Sequence, residues 1–376
     1  MTTTDLNPSP RLLLGPGPSL VHPRVLRAMA TPLVGHLDPD FLAILSEIRS
    51  MLRTIFRTEN ELTLAVSGTG TAAMEAALGN LLEPGDVMLA CVQGYFGDRL
   101  AEIGRRYGAQ VERLEVPWGD VHEPATIESA LSRRPAKIVT LVHAETSTGA
   151  CQPDIPAIAA ACHSHGALLV LDVVTSLGGL AVDVDAWEVD VAYGAAQKAL
   201  SGPPGLSPIT VGPRARQAIA RRSSSPPVFY FDLELLDRYW GEKPTYHHTA
   251  PISTAYGLRE ALRLALEEGL EARWARHAAN AARLWHGLEA LDLPLLVPQA
   301  RRLSTLSTPR LPEALDEAAL RRRLLQDFNI EIAGGFGPLA GKVWRIGLMG
   351  ESSRPEHVLT LLAALGELLD GTGTGR

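Results

Sequence analysis

The sequence predicts an α/β protein: a mostly parallel sheet covered by helices on both faces, followed by a smaller α+β block. Three observations carry this. From residue 62 onward, short apolar runs alternate with helical stretches, the pattern of strands buried on both faces. Near Ser253 the alternation gives way to a long amphipathic stretch. A chain of 376 residues is also too long for one ordinary core.

Residues 1–16 are Pro-rich and read as extended, followed by helices near Pro23–Ala30 and Pro39–Phe56. The apolar run Leu62–Val66 is the first core strand, and Thr71–Leu82 the helix after it. Strands follow at Asp86–Val92, Gln110–Val116, Lys137–His143 and Leu168–Asp172, with helices between them near Asp98–Tyr107, Glu123–Leu131 and Ile155–His165. Short strands are expected at Val189–Tyr193 and Ile209–Val211, and Arg221–Pro227 reads as a loop. Ile252–Leu291 is a helical stretch with a break expected near Gly269. Strands near Leu303–Leu311, a helix near Leu315–Phe328, strands at Ile330–Ala333 and Val343–Ile346, and a helix over Pro355–Leu368 complete the second block. The expected division is an extended segment at 1–20, a large domain at 21–252, a small domain at 253–370 and a frayed tail at 371–376.

Lys plus Arg number 35 against 42 Asp plus Glu, a formal net charge of −7, which disfavours a nucleic-acid role. Cys91, Cys151 and Cys162 lie far apart without a CxxC pair, so no disulfide framework is expected and a reducing cytoplasm fits. No signal peptide or membrane span is visible, and no membrane partner is expected.

The chemistry centres on Asp172 and Lys198. The first ends an apolar strand, and the second sits among small residues in Gly194-Ala-Ala-Gln-Lys-Ala-Leu-Ser201. Apolar surroundings lower an amine's pKa, and such a lysine can form a Schiff base with an aldehyde. Pyridoxal phosphate (PLP) requires that lysine and a carboxylate facing its ring nitrogen. The plainer alternative is a core strand ending at a turn and then a surface lysine. Between strand and helix, Ser67-Gly68-Thr69-Gly70-Thr71 offers glycines for close backbone approach, hydroxyl donors and a helix N-terminus, a cradle for phosphate. Gly68-x-Gly70-x-x-Ala73 also fits a dinucleotide fingerprint, but the next strand ends in Cys91-Val92-Gln93 without the acidic residue that would hold a ribose. An ordinary Gly-rich turn is the third reading. On a strand edge, His247 and His248 would point to opposite faces, which argues against a two-His metal site; no metal is expected.

Eight segments together resemble one family: Leu14-Gly-Pro-Gly-Pro18, Ser67-Gly-Thr-Gly70, Gly94-Tyr-Phe-Gly97, His143-Ala-Glu-Thr-Ser-Thr-Gly149, Asp172–Gly179, Gln197-Lys198-Ala-Leu, Tyr246-His-His-Thr249 and Arg345-Ile-Gly-Leu-Met-Gly350. In this order they resemble the class V (fold type I) PLP-dependent aminotransferases, specifically the alanine–glyoxylate, serine–glyoxylate and serine–pyruvate enzymes. The Tyr-His-His-Thr and Arg-Ile-Gly-Leu blocks are the most specific. The resemblance implies a seven-stranded-type sheet in the large domain, Lys198 as the Schiff-base lysine and Asp172 as the partner of the pyridine nitrogen. It implies that Phe96 stacks on the ring, that Thr146 lies near the phenolic oxygen, and that Ser67, Gly68, Thr69 and Gln197 bind phosphate. Tyr246 and Thr249 would reach the phosphate of a neighbouring subunit's cofactor, which makes the protein a homodimer with shared sites. Arg345 would grip the substrate carboxylate, and Gly17 would line the substrate pocket.

Two departures stand out: Ala144 after His143, and Ala250-Pro-Ile-Ser253 after the Tyr-His-His-Thr block. The function implied is transamination between alanine or serine and glyoxylate or pyruvate. (S)-Ureidoglycine–glyoxylate and 2-aminoethylphosphonate–pyruvate transaminases are alternatives. A desulfurase-like lyase would need a cysteine in the last third of the chain, whereas all three precede residue 163. A catalytically lapsed binding or interaction protein could have lost Lys198, Asp172 or Arg345; all three remain.

Overall fold

The computed structural model describes residues 6–241 and 243–370, so the expected tail at 371–376 and the first five residues lie outside it. The chain enters as β1 (Leu12–Leu13), α1 (Pro23–Met29) and α2 (Pro39–Phe56). In α2, Asp38 accepts from the Asp40 N–H at 2.9 Å and Pro39 presets the first turn. The helix buries Phe41, Leu45, Ile48, Leu52 and Ile55, one face at helical spacing.

The alternation follows as β2 (Leu62–Ser67), α3 (Gly70–Leu81), β3 (Val87–Val92), α4 (Tyr95–Arg106), β4 (Gln110–Glu115), α5 (Pro124–Arg133) and β5 (Ile138–Val142). A small hairpin, β6 (Ala144–Glu145) with β7 (Ala150–Cys151), precedes α6 (Ile155–Ser164), β8 (Leu168–Asp172), β9 (Val191–Tyr193) and β10 (Leu206–Val211). Seven of these strands form one sheet in the order β2-β10-β9-β8-β5-β3-β4. Only β10 runs against its neighbours, pairing Leu206 with Ser67 and Ile209 with Tyr193; the rest of the sheet is parallel. β5, β8, β9 and β10 are buried along their whole length, as strands covered on both faces must be.

Four helices come next: α7 (Pro213–Ala220), α8 (Leu233–Trp240), α9 (Ile252–Glu268) and α10 (Leu270–Ala290). The break between the last two is at Gly269, where φ is +84°, as the sequence predicts. The chain ends with β11 (Leu306–Ser307), α11 (Glu317–Asp327), β12 (Ile330–Glu331), β13 (Ala333–Gly334), β14 (Trp344–Gly347) and α12 (Pro355–Asp370). Strands β11, β14 and β13 form a small antiparallel sheet, while β1 pairs with β12 in parallel.

One core spans the large sheet and its helices. A second gathers Leu284, Leu288, Leu320, Leu324, Trp344, Ile346 and the inner face of α12, together with Leu14 from the N-terminus. The pattern change at residue 253 falls at the start of α9, yet α9 packs its Tyr256, Leu258 and Leu262 into the large core; the second core begins along α10.

Several boundaries differ from expectation. β10 starts three residues before Ile209, α4 begins at Tyr95 instead of Asp98, and α7 and α8 flank a loop that the sequence left without helices. The stretch Leu303–Leu311 keeps only two strand residues. Among the described residues no helix is long and apolar enough to cross a membrane, and no cluster of three or more His, Cys, Asp or Glu could hold a metal.

Candidate active site

The parallel strands β2, β3, β5, β8 and β9 end at one edge of the large sheet, and β10, running the other way, starts there. Ligands in open α/β sheets sit outside such carboxyl ends. Asp172 is the last residue of β8 and Tyr193 the last of β9, paired in register. The Tyr193 hydroxyl donates to Asp172 Oδ2 at 3.0 Å and the Val174 N–H to Oδ1 at 2.8 Å. The carboxyl is 2 % exposed, and burial pushes its pKa up to about 7 against these two donors. It therefore sits where it can share a proton with a ring nitrogen near neutral pH.

Lys198 lies in the loop from β9 to β10, half-buried. Desolvation lowers its pKa to about 8, with Asp172 pulling it back up and Arg345 pushing it further down. Its Nζ donates to the Pro16 carbonyl. Gly17 faces the lysine tip: a Cβ there would lie 2.9 Å from Cδ, 3.1 Å from Cε and 3.0 Å from Nζ. The N-terminal segment is laced to this loop, with Ser19 N–H donating to the Gln197 carbonyl at 2.9 Å and Ser19 Oγ to the Lys198 carbonyl at 2.7 Å. Gln197 Oε1 is buried without a hydrogen-bond partner among the described residues.

The turn after β2 forms a cradle. Gly68 has φ +140°, and a Cβ on it would come within 2.4 Å of Ala72 Cβ, so glycine is required. Thr69 is the N-cap of α3 and makes no side-chain capping bond. The cradle thus presents backbone donors, Ser67 and Thr69 hydroxyls and a positive helix end to an anion.

Phe96 sits in the first turn of α4, half-buried, with the Arg99 guanidinium 5.1 Å from its ring centroid. Its N–H donates to Glu145 Oε2 at 3.3 Å. Glu145 is fully buried and accepts at Oε1 from Ser147 N–H and Oγ, at 3.0 and 2.6 Å. Gly94 makes this approach possible, since a Cβ there would lie 2.5 Å from Glu145 and Ser147 atoms. That contact starts α4 three residues before the expected position. Thr146 is buried, its hydroxyl 2.5 Å from that of Thr175.

Arg345 lies on β14, 4 % exposed. Its Nε donates to the Gly334 carbonyl at 2.7 Å, and its guanidinium carbon lies 3.8 Å from the Phe336 ring centroid. Burial lowers its pKa to about 10, so it stays cationic at neutral pH. Its Nη atoms make no hydrogen bond among the described residues, leaving the fork available to a carboxylate.

The structure thus gathers Asp172, Lys198, Gln197 and Gly17, and sets the Ser67–Thr69 cradle, Phe96, Thr146 and Arg345 on the elements around them. It does not bring Tyr246 and Thr249 to the cradle of the same chain. Tyr246 is 59 % exposed and lies against His36, and Thr249 is exposed. His248 instead reaches Ser67, at 2.9 Å. The Tyr-His-His-Thr segment is irregular and not a strand edge, and its two imidazoles meet with Nδ1 atoms 2.8 Å apart. Sequence reasoning assigned no role to Tyr193, Glu145, Arg99 or Phe336. Glu145 and Phe336 lie inside segments already conspicuous in the sequence, and Tyr193 follows from aligning β9 with β8.

An amine of lowered pKa and a buried carboxylate at the carboxyl edge of the large sheet, with a free guanidinium fork brought beside them from the small sheet, are the groups an amino-group transferase needs. The class-V aminotransferase profile matches residues 13–337. The (S)-ureidoglycine–glyoxylate transaminase of Bacillus subtilis is 43 % identical over 96 % of this chain and 90 % of its own length. The alanine–glyoxylate aminotransferase of Drosophila melanogaster is 39 % identical over 97 % of this chain and 94 % of its own. The crystal structure of an alanine–glyoxylate aminotransferase from Nostoc sp. superposes with a TM-score of 0.97 at 51 % identity, covering 98 % of both chains. The chain belongs to the class-V aminotransferases, and it is a transaminase.

Proposed function

We propose that the chain binds PLP through Lys198 and transfers the amino group of a small L-amino acid, alanine or serine, to glyoxylate or pyruvate. The observation that carries this reading is the Lys198–Asp172 pair, an amine and a carboxyl both brought toward neutral pKa by burial.

The residues present fit the cofactor. A phosphate would take the donors of the Gly68 cradle and the amide N–H donors of Gln197. The pyridine nitrogen would take Asp172, and Phe96 would cover the ring face. Thr146 would donate to the phenolic oxygen. Bound there, PLP supplies an aldehyde for the amino group and a protonated ring that draws electrons from the substrate Cα. Asp172 holds the proton on the ring nitrogen. Lys198, released as a free amine, takes the proton from the substrate Cα and returns one, as general base and then acid. Arg345 fixes the substrate by its carboxylate with a planar fork that a lysine cannot reproduce, while Phe336 stacks behind that fork. Gly17 gives the pocket a wall of bare backbone beside the amine.

Tyr246 and Thr249, exposed on this chain, are placed by this reading at the cofactor phosphate of a second copy, in a homodimer with shared sites. The division into a segment at 1–20, a large domain and a small one goes with it, with the boundary expected at 253 moved past α9, which packs into the large core. The scattered free thiols Cys91, Cys151 and Cys162 fit a reducing cytoplasm. Glyoxylate is named as co-substrate for both curated relatives, which favours it as acceptor. A second reading, (S)-ureidoglycine as donor, is favoured by the 43 % identity to the Bacillus subtilis enzyme.

The test is the visible spectrum of the purified protein. A yellow band that bleaches with L-alanine or L-serine and returns with glyoxylate supports the reading. A protein that stays colourless when supplied with PLP overturns it. Bleaching by (S)-ureidoglycine but not by alanine or serine selects the second donor.

A further inference from the structure

The histidine pair of the Tyr-His-His-Thr segment has no part in the chemistry above, yet it is wired to the anion cradle. His247 Nε2 lies 3.0 Å from the Phe229 carbonyl, His247 Nδ1 lies 2.8 Å from His248 Nδ1, and His248 Nε2 lies 2.9 Å from Ser67 Oγ. A carbonyl can only accept, so His247 Nε2 carries a hydrogen. In a neutral pair, His247 Nδ1 is then an acceptor, His248 Nδ1 the donor to it, and His248 Nε2 an acceptor. The Ser67 hydroxyl must donate to His248, and its one hydrogen points away from the cradle.

A phosphate also only accepts. For Ser67 to donate to it, the hydroxyl must turn, leaving its lone pairs against the lone pair of His248 Nε2. One added proton on the imidazole pair removes that conflict: His248 then donates to Ser67, and Ser67 donates to the anion. The added positive charge further favours the dianion. We infer that His247 and His248 are positioning residues that couple phosphate binding at Ser67 to uptake of one proton.

The surroundings keep His248 neutral while the cradle is empty. His248 packs against Tyr230, Tyr239 from α8 and His247, with ring centroids 4.9, 5.6 and 5.0 Å away. His36, itself against Tyr246, also faces it. His247 stacks on Phe229 and lies near Tyr230. Burial, then the neighbouring histidines, lower the His248 pKa to about 4. An anion beside Ser67 supplies the counter-charge that these rings do not.

This rests on the cradle holding the cofactor phosphate. The test is calorimetric titration of the full chain, stripped of cofactor, with PLP in two buffers of different ionisation enthalpy. Near about pH 8 the phosphate is already a dianion. Comparison with His248→Gln cancels protons exchanged at Lys198 and on the cofactor. The wild-type chain should take up about one proton more per subunit than His248→Gln, and its Kd should rise about tenfold more steeply per pH unit. Ser67→Ala, which removes a single oxygen, should lose the same proton while leaving the imidazoles in place, and it serves if the histidine variant does not fold. Equal uptake in wild type and His248→Gln, or full uptake in Ser67→Ala, overturns the inference and leaves the cofactor assignment standing. Failure of the wild-type chain to bind PLP removes both.

Discussion

Gly17→Ala isolates the geometry of the reacting amine from the stability of the fold. The new Cβ would stand 2.9–3.1 Å from the last three atoms of Lys198, where ordinary contact is about 3.5–4.0 Å. The flexible tip gives way, so the contact costs the fold little. The backbone costs more: with φ at +111°, a residue with a Cβ carries roughly 1–3 kcal/mol of strain. Retreat of the tip by about 0.5–1 Å takes Nζ from the Pro16 carbonyl and from its aim, and a misplacement of about 1 Å costs roughly 100-fold in rate. The expected result is a kcat lower by about two orders of magnitude with a melting temperature lower by only a few degrees. Alanine–glyoxylate turnover, followed by reduction of the pyruvate formed, gives the rate, and thermal unfolding the stability. Gly15→Ala is the control, because a Cβ there meets nothing nearer than 4.0 Å. A Gly17→Ala protein with wild-type kcat, or one whose kcat falls no further than that of Gly15→Ala, would refute the reasoning.

Lys198→Ala should fold and bind PLP without a covalent link; wild-type turnover in it would remove the lysine from the chemistry. Arg345→Lys loses the fork and its stacking on Phe336, so KM for the amino acid should rise roughly 10–100-fold with PLP affinity unchanged; an unchanged KM would contradict the clamp. Asp172 ionises at about 7 when folded against 3.8 as the reference, so between these values the folded protein holds the extra proton. Its contribution is full below the lower value and lost as pH rises to the upper, up to about 4 kcal/mol. In cofactor-free protein, urea unfolding should show that decline for wild type and not for Asp172→Asn; equal slopes from about pH 5 to 7 would place the titration elsewhere.

The large sheet was legible because its inner strands β3, β5 and β8 are short, largely apolar runs, and so was the carboxylate closing β8. The Lys198 loop stood out by its small residues. What local pattern could not carry was direction and long-range pairing. Nothing within Leu206–Val211 says that β10 runs against its neighbours, although that reversal brings Gly205 and Leu206 beside Ser67. Phe336 reaches Arg345 because β13 pairs with β14 across the nine residues 335–343. The early start of α4 depends on the close fit of Gly94 to Glu145, two residues 51 positions apart (145 − 94). Alternation along an extended strand misled at His247 and His248, because the segment is irregular and turns both rings to the same neighbourhood.

The N-terminal strand has a consequence for how the molecule is made. β1 pairs with β12, which lies 318 residues later (330 − 12). Arg11 reaches Leu325 and Asn329 at 2.6 Å, and the Leu14 carbonyl accepts from Gly347 at 2.8 Å. At a synthesis rate of about 5–20 residues per second, the first strand waits roughly 15–60 s for its partner while the large sheet can already close. During that interval Leu12 and Leu14 have no core to enter, and Gly17 and Ser19 have only the lysine loop to settle on. The amine-bearing half of the pocket can therefore exist before the Arg345-bearing half does, and translation of the last third of the chain completes it.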